Sequence, residues 1–116
     1  EILALVVDRQ IRRLRADPAY VVVWANRDLS PQAQREDDRD IETMTGVLHQ
    51  ALVAQESLPD TAQLQAHCRV AVQCVDALLH LAFRINPCGD EVTLVEAKRI
   101  LLLYLDNVVA EATRQG

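Results

Sequence analysis

The chain is poor in residues that punctuate secondary structure. Its 116 residues include three glycines and four prolines, too few for the many tight turns of a strand-rich domain. Long apolar runs are also missing. The stretches at 19–25 and 100–105 fall far short of the roughly 20 apolar residues that a membrane-spanning helix needs. Positive charge is not in excess: twelve basic against seventeen acidic residues leave a net charge of −5. A segment that grips phosphates through its own surface should lean basic, so direct nucleic-acid binding is not expected. Residues 1–7 carry one acidic residue and no basic one, which is not the pattern of a signal peptide. With no methionine in front, the chain is expected to begin inside or just before a helix.

Reactive groups are equally sparse. The three cysteines, Cys68, Cys74 and Cys88, are odd in number and form no CxxC pair, and the histidines, His49, His67 and His80, form no HxxxH pair. Neither a metal nor another cofactor is expected from these spacings. Reduced thiols and a cytoplasmic location are the expectation. Cys68 and Cys74 lie about 9 Å apart along one helix axis, too far for a disulfide, and read as buried apolar side chains. Cys88 reads as an exposed thiol in a turn. Ser30 and Ser57 are the only serines, and there is no Gly-rich phosphate loop, GxSxG or HExxH. Enzymatic activity is therefore not expected.

Half of the residues are apolar and a quarter charged, a balance that supports a folded core. The prolines divide the chain into five segments, all predicted helical, at about 2–16, 18–29, 31–57, 61–85 and 91–114. Pro18, Pro31 and Pro59 stand beside the capping residues Asp17, Ser30 and Asp60. Pro87-Cys88-Gly89-Asp90 reads as a stop, a turn and the cap of the last helix. Leu3, Val7 and Leu14 form the apolar side of the first segment. Tyr20-Val21-Val22-Val23-Trp24 has strand propensity, but no other segment offers a partner strand, so a short helix is predicted. Tyr20 and Trp24 meet on one face of it, with Arg27 nearby; core packing and a ligand pocket both remain open for this pair. In the third segment, Arg35-Glu36-Asp37-Asp38-Arg39-Asp40 reads as a solvated face, followed by an apolar stripe of Ile41, Met44, Leu48, Ala51 and Leu52.

The last two segments are apolar over too wide an arc. Leu64, Cys68, Ala71, Val75, Leu78 and Ala82 form one stripe. Val72, Leu79 and Phe83 widen it on one side, and Val70, Cys74, Ala77 and Leu81 on the other, leaving a narrow polar strip that holds Asp76, His80 and Arg84. The final segment is similar, with Ile100, Leu101, Tyr104, Leu105 and Val108 on its apolar side. A helix packed on one side needs an arc of little more than about 100°. The surplus predicts a second burial partner, most simply another copy of the chain in a four-helix interface. A helical adaptor that binds a different protein through this face is the alternative, and a small helical enzyme or metal-binding bundle is a third.

The stretch from Leu14-Arg-Ala-Asp-Pro-Ala-Tyr-Val-Val-Val-Trp24, through Leu29-Ser-Pro-Gln-Ala, to Arg39-Asp-Ile-Glu resembles the regulatory domain of TetR-family transcriptional repressors. The resemblance implies an all-α, five-helix domain over residues 1–116 whose last two helices form a four-helix-bundle homodimer interface. In the interface it places Val70, Cys74, Ala77, Leu81, Ile100, Leu101, Tyr104, Leu105 and Val108. It also implies a small apolar or aromatic effector bound among the earlier helices, with Tyr20, Trp24, Met44, Leu48, His67 and Cys68 as lining candidates. Effector binding would shift the spacing of two DNA-reading heads and release operator DNA. The helix-turn-helix that such repressors carry before this domain is not in the sequence, so operator contact would run through that separate domain.

Overall fold

The structure, a computed structural model, describes residues 2–25 and 30–115, without the side chains at 2, 3 and 115. Five helices follow in order: α1 (Ile2–Arg15), α2 (Pro18–Ala25), α3 (Pro31–Gln55), α4 (Ala62–Ile85) and α5 (Glu91–Gln115). No strand occurs among the described residues. Arg27 and the end of the predicted second helix lie outside the described residues.

Local chemistry sets most of the boundaries. The Tyr20 amide donates to Asp17 Oδ1 at 3.2 Å, and Pro18 occupies the first helical position, where its missing N–H is not needed. This start, together with burial of Val21, Trp24 and Ala25 on one side, overrides the strand propensity of α2. Ser30 Oγ accepts from the Ala33 amide at 3.2 Å and caps α3. The cap of α4 is Thr61, whose Oγ1 accepts from the Leu64 amide at 3.1 Å. Asp60, the expected cap, instead reaches His49 Nε2 at 3.0 Å. Asp90 caps α5, accepting from the Thr93 amide at 3.1 Å and its hydroxyl at 2.6 Å. These two bonds hold its carboxyl below the usual carboxylate range. Gly89 makes the preceding turn at φ +92°, where a Cβ would also meet Leu94 Cδ1 at 3.0 Å and Phe83 Cζ at 3.1 Å. Glycine alone suits that backbone and that space.

Helix α4 is the central rod. It packs most extensively on α5, then on α3 and α2. Its inward stripe is Leu64, Cys68, Ala71, Leu79, Ala82 and Phe83, and that of α5 is Leu94, Ala97, Leu101, Leu105 and Val108. From α1, Val7, Ile11 and Leu14 close one end of the core, and Lys98 Nζ ties α5 to α1 through Asp8 at 2.9 Å. Arg15 adds a second tie, donating to the Cys88 carbonyl at 2.7 Å and Glu91 at 2.8 Å. The Cα trace measures 46 × 31 × 17 Å. Its thin dimension accommodates two helix layers, since packed helix axes lie roughly 8–10 Å apart. In so thin a slab, long helices keep one side outward.

Candidate functional site

The first half of α3 does not lie flat on the core. Its buried residues begin at Ile41 and continue through Thr45, Leu48, His49 and Leu52, and its opening turns overhang α1, α2 and α4. Between these helices is a cavity of about 520 Å³, within the size range of small-molecule sites. Its apolar lining includes Val7, Leu14, Leu48, Val72, Leu79 and Leu101. Met44, Tyr20 and Trp24 also line it. Its polar side carries Asp17, Glu36, Asp37, Asp40 and Asp76, with Arg13 as the one basic residue among the lining residues.

The charged turn of α3 is therefore not simply a solvated face. Glu36, Asp38 and Asp40 are exposed, but Glu36 and Asp40 also border the cavity, as does Asp37, which is half-buried. The indole of Trp24 is 2% exposed and is the hub of this wall. Its Nε1 donates to Asp37 Oδ1 at 3.3 Å. One ring neighbour is Tyr20, with centroids 6.5 Å apart and planes at 20°; another is Phe83, edge-on at 6.3 Å. His80 stacks directly on the indole. Burial and the facing Asp76 carboxylate push the Asp37 carboxyl up, against the opposing pull of the Trp24 hydrogen bond. Burial likewise raises the Tyr20 hydroxyl.

Of the six lining candidates from sequence, Tyr20, Trp24, Met44 and Leu48 come together around this cavity, whereas His67 and Cys68 do not. Cys68 is fully buried in the core, and burial raises its thiol. His67 Nδ1 shares a 3.0 Å hydrogen bond with the Tyr104 hydroxyl across α4 and α5. The sequence reading missed the carboxylates of Asp37 and Asp76 and the imidazole of His80. The available signal was the spacing of Asp76 and His80, four apart on α4, which puts both on one helix face.

A family model described as tetracyclin repressor-like, C-terminal domain, matches residues 1–109. The chain belongs to this family. It is thus a regulatory domain, of a kind that in general dimerises and binds effectors. No curated protein and no solved structure matches the chain.

The outward side of the last two helices holds only some of the residues expected there. On α4, Val70, Cys74, Ala77 and Leu81 are exposed as a single stripe, so Cys74 is not the buried thiol expected. On α5, Leu101, Leu105 and Val108 are buried in the chain's own core and are not on a free face. Tyr104 is half-buried beside His67. Ile100, one of the expected interface residues, is exposed, and the other exposed large apolar residues of α5 are Val92 (72%), Val95 and Leu103 (63%). The physical reason is packing: α5 lays its Leu101 stripe chiefly against α4, with a smaller contact to α1. No described helix is long and apolar enough to cross a membrane.

Proposed function

We propose that the chain is the effector-binding and dimerisation domain of a transcriptional repressor. In this reading a small, largely apolar or aromatic molecule occupies the cavity walled by α1–α4. The observation that carries it is that cavity, with its apolar floor and the Trp24 wall. An effector seated there touches α1, α2 and α3 on one side and α4 on the other. Any shift of α1 relative to α4 would be passed to whatever precedes α1, which is how the spacing of DNA-reading heads would change. Release of operator DNA requires only that the effector bind the two conformations unequally. The partner copy would sit on the stripe of Val70, Ala77 and Leu81 from α4 with Ile100 and Leu103 from α5.

Nile red, a neutral apolar fluorophore, tests the cavity. Its emission should rise and shift to the blue saturably, with one probe per chain. Ala51→Phe, which fills the lining from α3, should abolish the change while the circular dichroism of the helices is kept. Equal probe binding by Ala51→Phe would contradict the reading.

A further inference from the structure

We infer that Asp37, Asp76 and His80 form a site for a divalent transition-metal ion of the zinc class, set in the wall of the cavity. The site stands on these three side chains and does not require the effector reading. One carboxylate oxygen from each aspartate and one ring nitrogen of His80 lie within 4.8 Å of one another. Asp76 Oδ2 and His80 Nε2 are 3.5 Å apart. Donors around a tetrahedral zinc ion, with bonds of roughly 2.0–2.2 Å, lie roughly 3.3–3.5 Å apart. The pair on α4 thus already has the separation that the ion requires, and Asp37 approaches from α3.

The imidazole supplies an independent sign of a missing ligand. His80 is 1% exposed, yet neither ring nitrogen has a hydrogen-bond partner among the described residues. The 3.5 Å separation from Asp76 is within ion-pair range but is not a made hydrogen bond. A buried unpaired nitrogen is costly, and an ion on Nε2 would remove that cost for one of the two. The carboxylates point the same way. Among the described residues, no lysine or arginine forms an ion pair with Asp37 or Asp76.

The surroundings hold these donors as an outer shell does in metal sites. Trp24 fixes Asp37 through its Nε1 hydrogen bond and fixes the His80 ring by stacking. One nitrogen and two carboxylates suit zinc, cobalt or nickel. Three protein ligands leave a position for water or another donor, as in open zinc sites. Asp37 and Asp76 also line the cavity, so the open position faces the ligand space.

Titration of the chelator-stripped chain with Co(II), then displacement by Zn(II), tests the site. Co(II) should give a d–d absorption band of a low-coordinate nitrogen and oxygen site and quench Trp24, which stacks on the ligating ring. Asp76→Asn, which keeps the shape of a half-buried side chain, should weaken binding by at least about a hundredfold, because loss of a mere outer-shell partner already costs roughly 10–100-fold. His80→Gln should do the same; if it fails to fold, Asp76→Asn alone decides. His49→Gln and the double variant Cys74→Ser, Cys88→Ser should bind as the wild type does. Three results would each overturn the inference: no Co(II) binding with Trp24 quenching in the wild type, undiminished binding by Asp76→Asn, or loss of binding in the cysteine variant. Nile red binding in the absence of metal would separate failure of this site from failure of the effector cavity.

Discussion

The imidazole of His80 lies against the indole of Trp24, with ring centroids 3.7 Å apart and planes at 27°. Through this contact and the bond to Asp37, one residue of the short helix α2 is joined to both α3 and α4. An eight-residue helix contributes little stability of its own. It is held by what it buries, and the largest of those side chains is Trp24.

Truncating Trp24 should therefore be severe. Trp24→Ala is expected to cost about 3–5 kcal/mol, the range for a large buried aromatic residue. Its neighbour Tyr20 is 43% exposed, and Tyr20→Ala should cost less than about 1 kcal/mol. Urea unfolding followed by circular dichroism compares them. Equal costs would mean that the indole does not anchor α2.

The α5 cap gives stability a definite pH dependence. The folded structure lowers the Asp90 carboxyl through its bonds from Thr93. A carboxylate lowered in the folded state stabilises it above the ordinary carboxylate range, and that contribution is lost as pH falls through the lowered value. Asp90→Ala should melt below the wild type at neutral pH, and the gap should close in acid. A gap that stays constant or widens on acidification would contradict this assignment.

Much of the fold is legible in the sequence, because caps and 3.6-residue periodicity are local. Asp17-Pro18, Ser30-Pro31 and Asp90 mark helix starts directly, and the wide apolar arcs of α4 and α5 can be read off the chain. Two things are not local. Periodicity shows that Asp37 and Asp40 share a polar face, but only the overhang of α3 decides that this face borders a cavity. The same holds for His80, which sits in a polar strip by sequence and beneath Trp24 in space. On α5, a helix apolar nearly all round does not reveal which part faces inward. Packing of α5 on α4, and to a lesser extent on α1, puts Leu101 in the core and Leu103 on the outside.

That assignment separates two classes of variant. Sedimentation velocity should show a dimer for the wild type. Leu81→Glu and Leu103→Glu, both at exposed positions, should give folded monomers. Leu101→Glu should instead lose helical structure, because it puts an unpaired charge into the core. A folded, dimeric Leu103→Glu together with Leu81→Glu would place the self-association face elsewhere.

The most direct test of the account uses the single tryptophan of the chain. Trp24 gives one indole resonance in a proton–nitrogen correlation spectrum, and its N–H reports on the Asp37 bond and the cavity wall together. As Nile red is added, this resonance should move saturably, in step with probe emission, while the amides of Val92 and Ala110 on the outer side of α5 stay still. Saturable probe emission with the indole resonance unmoved would place the bound molecule outside the cavity and contradict the account.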